Sequence, residues 1–146
     1  MDDEAELLLQ NVPRINLDQV YENNEVSMAN KNNKLVGRIK QAMEEQYLYK
    51  ETGFTITNLA AILTVPEQRL RTTINRKLVF QNFNQFINHY RIREATQLLS
   101  NSEEPISKIA MEVGYNSLSA FNKSFKESHG VPPRQYRTVA DYSTQE

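Results

Sequence analysis

Two clusters of side chains in this sequence have the types and spacing needed to read the edges of base pairs. Gln68, Arg71, Thr72 and Asn75 fall at i, i+3, i+4 and i+7, so an α-helix would carry them on one face. An Arg fork fits guanine O6 and N7, a Gln amide fits adenine, and a Thr methyl can meet a thymine methyl. Ser119, Asn122 and Lys123 make a second, smaller and more polar face of the same kind. Around both lie groups suited to phosphate: Arg69, Arg76, Lys77, Asn116, Ser117, Lys126, Arg134 and Arg137. Arg137 has a competing use, as a buried polar tie that holds the last helix down. Leu118 could pack beneath Phe121 or touch a thymine methyl, with packing favoured. The bland alternative for both faces is an ordinary solvated helix surface.

The elements that must position these groups read as helices throughout. Pro105 suits a helix start, and Ile106, Ile109, Ala110 and Val113 follow at helical spacing up to Gly114. A glycine there can end one helix in the left-handed region, and Asn116 can cap the next. That next helix keeps Phe121 and Phe125 inside. Upstream, Thr55 is an expected N-cap, with Leu59, Ala60, Ile62 and Leu63 as the buried side of a short helix. Pro66 then begins a helix reaching about Lys77, with Leu70, Ile74 and Leu78 inward. The two halves repeat. Leu59, Ala60, Leu63 and Val65 stand 50 residues before Ile109, Ala110, Val113 and Tyr115, while Leu70 and Ile74 stand 51 before Phe121 and Phe125.

Between the halves, Asn82 and Gln85 make a capping pair for an amphipathic helix carrying Phe83, Phe86, Ile87, Tyr90, Ala95, Leu98 and Leu99. Nineteen residues of helix span about 28 Å, close to the roughly 34 Å between successive major-groove faces on one side of B-DNA. The expected fold is therefore all-α: two helix-turn-helix subdomains, homeodomain-like in kind, joined by a long linker helix. The expected division is residues 1–33 as an acidic flexible arm, 34–81 as the first unit, 82–100 as the linker, 101–137 as the second unit and 138–146 as a tail. A first helix is expected from Asn33, with Leu35, Val36, Ile39, Met43 and Tyr47 inward; within the arm, Leu7 to Leu9, Val12, Ile15, Leu17 and Val20 offer scattered apolar contacts.

Composition narrows the function. The 146 residues carry no cysteine, which removes disulfides and thiolate metal ligands. His89 and His129 are far apart, no nucleophile with a base and no phosphate-cradling glycine loop occur, and the carboxylate pairs Glu44-Glu45 and Glu103-Glu104 read as helix-surface and cap residues, so no catalytic, metal or cofactor site is expected. No aliphatic run, Leu7 to Leu9 included, approaches the roughly 20 apolar residues that a membrane span requires. The net charge of −1 hides a segregation. Residues 1–33 hold seven acids against Arg14 and Lys31, a net of −5, whereas residues 34–137 hold fifteen Lys and Arg against nine acids, a net of +6. The basic part is a moderate footprint for nucleic acid.

At these residues the chain resembles the AraC/XylS family of bacterial transcription regulators. The resemblance covers about residues 35–137 and is densest at Ile106, Ile109, Ala110, Val113, Gly114, Tyr115, Ser119, Phe121, Phe125, Lys126, Gly130, Val131, Pro132, Pro133, Tyr136 and Arg137. Arg91, Glu94 and Ala95 match the family's linker helix. The first unit departs: Pro66 stands where many members have a small polar cap, and Thr64 and Val79 where many have Gly. The resemblance implies a sequence-specific, cytoplasmic and nucleoid-associated regulator of transcription. It would place two recognition helices in adjacent major grooves of promoter DNA and recruit or block RNA polymerase. A further sensor or dimerisation region upstream of this sequence would fit the same family. The first recognition helix, around Arg71, is expected to carry more of the sequence reading and the second more of the phosphate anchoring. The alternative is a helical interaction module that binds a protein through the same faces.

Overall fold

A computed structural model describes the backbone of residues 17–144 and the side chains of residues 26–140. Among the described residues there are seven α-helices and no strand: α1 (Leu17–Glu44), α2 (Ile56–Leu63), α3 (Glu67–Arg76), α4 (Phe83–Asn101), α5 (Ile106–Glu112), α6 (Leu118–His129) and α7 (Pro133–Thr144), with a 3-10 turn at Leu48–Lys50 between α1 and α2. The all-helical fold is as expected. From Leu35 onward the chain forms one compact unit.

That unit contains two hydrophobic cores, and α4 supplies both. Its N-terminal half sends Phe86 and Ile87 into a core with Leu35, Ile39, Met43, Leu59, Leu63, Leu70 and Ile74. Its C-terminal half sends Ile92, Ala95 and Leu99 into a second core with Ile109, Val113, Phe121 and Phe125. A helix that enters two cores cannot tilt in one without disturbing packing in the other, because close-packed interiors transmit small displacements. The linker helix is thus a shared structural member.

Local chemistry sets the helix ends. The Thr55 hydroxyl accepts from the Asn58 amide at 3.2 Å while the Asn58 side chain accepts from the Thr55 amide at 2.9 Å, a reciprocal capping box. Asn82 caps α4 by accepting from the Gln85 amide at 2.9 Å. Ser117 caps α6 by accepting from the Ala120 amide at 3.1 Å. The cap is one residue later than expected, since Asn116 is exposed and Ser117 takes the extended cap conformation with φ −152°.

Four further expectations are corrected. The first helix begins at Leu17 rather than at Asn33, so part of the supposed arm is helical. No proline or glycine occurs between residues 17 and 36 to stop it. The contacts suggested for Leu7 to Leu9, Val12 and Ile15 lie outside the described residues, as do the side chains of Leu17 and Val20. Tyr47 is half exposed because α1 stops at Glu44 and Tyr47 itself turns left-handed at φ 54°. In α2 the expected Leu59, Ala60 and Leu63 are buried together with Ile56, while Ile62 is 50% exposed on the outer face. The tail is not frayed from residue 138, because α7 continues unbroken to Thr144 and Thr138 bonds back to the Arg134 carbonyl at 3.0 Å.

Thr64 and Val79, the two positions where the sequence departs from the family's glycines, both adopt left-handed φ, 56° and 64°. For a β-branched residue this conformation costs about 1–2 kcal/mol, which outweighs the roughly 0.5–1 kcal/mol of extra chain entropy that a glycine loses on folding. Val79 is 80% exposed, so glycine there sacrifices little burial. Val79→Gly is therefore expected to raise stability by about 0.5–1 kcal/mol in urea denaturation, with Thr64→Gly acting in the same direction. Loss of stability in both variants would contradict the strain.

Candidate nucleic-acid interface

Helix α3 buries Leu70, Thr73 and Ile74 and turns Gln68, Arg71, Thr72 and Asn75 to solvent. The buried Thr73 is satisfied by donating to the Arg69 carbonyl at 2.9 Å, so no polar group pulls the helix off its core. The four exposed residues and Arg76 line one surface cleft, which brings the first expected face together in space. Their hydrogen-bonding capacity is partly engaged. Thr72 donates its hydroxyl to the Gln68 carbonyl at 3.0 Å, leaving the methyl to meet an apolar group. Asn75 donates from Nδ2 to the Phe80 carbonyl at 3.2 Å and keeps its Oδ1 and second N–H outside that bond. Arg71 places Nη2 2.6 Å from Glu67 Oε1. Arg76 and Lys77 are exposed at the end of α3, whereas Arg69 is half-buried.

Helix α6 hides Phe121 and Phe125 and exposes Ser119, Asn122 and Lys123. Asn122, Lys123, Lys126 and Arg134 line a groove with Leu118 and Pro132, and no acidic residue lines it. Leu118 is 39% exposed on that groove and so is not the core residue favoured from sequence. Ser117 uses its oxygen as a helix cap, which leaves the O–H free to donate; Asn116 is exposed beside it.

What sets these two faces relative to one another is a clamp where the second turn meets the first unit. Arg91 of α4 donates from Nε to the Tyr49 carbonyl at 2.7 Å and from Nη2 to the Glu51 carbonyl at 3.0 Å. Its guanidinium lies over the Tyr115 ring, 5.3 Å from the centroid, and burial pulls its pKa below the ordinary arginine value. Tyr115 donates to Asn88 Oδ1 at 2.8 Å, and burial pushes its phenol up from the usual tyrosine value. Gly114 sits at φ 113°, and a Cβ added there would come within 2.6 Å of the Tyr49 carbonyl oxygen and 2.8 Å of Arg91 Nε. Only a residue without a side chain lets the two units approach this closely.

A family model described as a helix-turn-helix domain matches residues 59–138, which takes in both turns and the linker helix. The chain belongs to the AraC-type helix-turn-helix family. It is 33% identical over 81 residues to the transcriptional activator FapR of Escherichia coli, a match covering 56% of this chain and 30% of that protein. It is 29% identical over 99 residues to the transcriptional regulator AlkR of Acinetobacter baylyi, covering 68% of this chain and 32% of that one. The chain thus spans less than a third of the length of either curated relative. Among solved structures, the C-terminal domain of AraT, a response regulator from Geobacillus stearothermophilus, superimposes with a TM-score of 0.66 at 32% identity, covering 71% of this chain and 84% of that domain.

Within the AraC-type frame one expected phosphate contact is withdrawn. Arg137 donates from Nε to the Leu99 carbonyl at 3.1 Å, from Nη1 to the Glu104 carbonyl at 2.7 Å and from Nη2 to the Ser102 carbonyl at 3.3 Å. All three nitrogens close the C-terminal end of α4 and the strand of chain after it, so the competing structural use prevails. Sequence reasoning missed the clamp role of Arg91 and the pairing of Glu67 with Arg71. The Arg91 contact joins residues 42 apart, and no local pattern encodes it. The i, i+4 spacing of Glu67 and Arg71 was legible as an ion pair. Among the described residues no group of three His, Asp or Glu could hold a metal ion, and no helix is long and apolar enough to cross a membrane.

Two substitutions test this scaffold. Arg137→Ala strands three carbonyl acceptors and is expected to cost about 1–3 kcal/mol, with Lys a poor replacement because it lacks the fork. Gly114→Ala is expected to cost roughly 2–3 kcal/mol through left-handed strain and the close carbonyl. Chemical denaturation measures both, and a neutral Gly114→Ala would show that the approach of the two units is looser than described.

Proposed function

We propose that this chain is the DNA-reading part of a sequence-specific transcription regulator, with α3 and α6 entering adjacent major grooves of a promoter. The observation that carries the proposal is that two exposed polar and basic helix faces are built on one compact unit and clamped through one linker helix. The names of FapR, a transcriptional activator, and AlkR, a transcriptional regulator, support the same conclusion. Base edges are read by Gln68, Arg71, Thr72 and Asn75 from α3 and by Ser119, Asn122 and Lys123 from α6. Phosphates are held by Arg69, Arg76, Lys77, Asn116, Ser117, Lys126 and Arg134. Arg71, with its forked donors, takes guanine, and Lys126 with Arg134 anchors the backbone beside the α6 groove.

Because both helices belong to one chain, two half-sites are read without a second copy. The regulator acts in the cytoplasm at the nucleoid, by recruiting RNA polymerase to the promoter or obstructing it. The +6 of residues 34–137 supplies attraction to any duplex, so discrimination has to come from the base-edge contacts.

Binding to promoter fragments at two salt concentrations, followed by selection from a random duplex pool, tests the proposal. Arg71→Ala is expected to relax base preference at one position by about 1–3 kcal/mol. Lys126→Ala is expected to weaken binding to all sequences and to reduce the salt slope by about one. Equal affinity of the unaltered chain for every duplex would overturn the specific-regulator proposal.

A further inference from the structure

Glu67 is an acidic residue on the face that the proposed function turns toward a polyanion. It stands at the first position of α3, where a carboxylate is favourable to the helix dipole, but its two oxygens are both committed to specific partners. Thr57 of α2 donates its hydroxyl to Oε2 at 3.1 Å, and Arg71, one turn along α3, brings Nη2 to within 2.6 Å of Oε1. The carboxylate is therefore held from one side and holds the guanidinium on the other.

An exposed glutamate–arginine pair contributes little to stability, and both members are solvent-accessible here, at 36% and 56% of their side-chain surface. Its consequence is orientation. A free arginine in this position has many rotamers and can swing to the nearest phosphate, an interaction that carries no sequence information. Guanine recognition needs the planar fork presented edge-on to O6 and N7. The contact with Glu67 uses one N–H of Nη2, so the second N–H of that nitrogen and its neighbour, Nη1 or Nε, still make a two-donor edge. The same carboxylate repels phosphate whatever the sequence, so it lowers affinity for every duplex while sharpening the difference between the right base and the wrong one.

We propose that Glu67, anchored by Thr57, is a positioning residue for specificity: it holds Arg71 in a base-reading pose and keeps it from the phosphates. This rests on the function proposed above, and deepens it by dividing discrimination at one base between a reader and its buttress.

The test uses the whole chain, with base preference measured by selection from a random duplex pool and affinity for a non-specific duplex measured against salt. Glu67→Gln keeps the size and an acceptor for Thr57 but removes the charge. It is expected to reduce preference at the Arg71 position about five- to tenfold, raise non-specific affinity about threefold and steepen the salt slope. Thr57→Val, which removes only the anchoring hydroxyl, is expected to lose part of the preference with no change in charge. In an Arg71→Ala background, Glu67→Gln is expected to alter non-specific affinity alone. Thermal denaturation of each variant separates these effects from folding. If the unaltered chain shows base preference and Glu67→Gln keeps all of it, the positioning role is overturned while the regulator proposal stands. An equal loss of preference with and without Arg71 overturns it too, since Glu67 would then act through the backbone. Absence of any preference in the unaltered chain overturns both.

Discussion

The close approach of Gly114 to the carbonyls of Tyr49 and Lys50, with Arg91 wedged alongside, is the constraint on which the rest of this molecule depends. Taking a guanidinium partly out of water is costly, and the lowered pKa of Arg91 records that cost. Two carbonyl acceptors and the Tyr115 ring face offset it. The result is that the turn of the second helix-turn-helix unit and the 3-10 turn of the first cannot separate without stranding a charge. Arg137 does the corresponding work at the far end of α4, where it gathers three carbonyls around the helix exit. Two arginines, of which Arg137 was an expected phosphate contact, are thus used to fix the frame.

A rigid frame changes what the exposed faces can do. If α3 and α6 moved independently, each would bind as a small separate module and the second would add affinity only through effective concentration. Held in one unit by a helix that enters both cores, they present their donors at a single spacing, and the entropic cost of alignment is met at folding instead of at binding. The same economy appears within α3. Thr72 ties down its own hydroxyl, Asn75 bonds the chain at the helix exit, and Glu67 pairs with Arg71.

Much of this was legible in the sequence because it is local or periodic. The helical spacing of Ile109, Val113, Phe121 and Phe125, the caps at Thr55 and Asn82, and the near-repeat of the two halves follow from short-range chemistry. The left-handed φ of Thr64 and Val79 could be anticipated only because the family resemblance marked those places as glycine sites. What stayed hidden is tertiary. Nothing near Arg91 in sequence says that its partner is the Tyr49 carbonyl, and nothing near Arg137 says that it closes a helix ending at Asn101. The early start of α1 and the continuation of α7 were missed for a different reason, since polar, weakly periodic stretches without breakers give no clear boundary. The burial of Ile56 and the exposure of Ile62 in α2 turned on a helix phase that eight residues cannot define by pattern alone.

The central claim is that the two faces act as one inflexible reader, and the most direct measurement is binding to a selected site with one, two or five base pairs inserted between its two half-sites. The account predicts that each insertion lowers affinity more than tenfold, with five base pairs, about half a helical turn, reducing the site to one half-site's strength. Affinity that survives all three insertions would contradict it, and would mean that the clamp at Gly114 and Arg91 does not fix the spacing of α3 and α6.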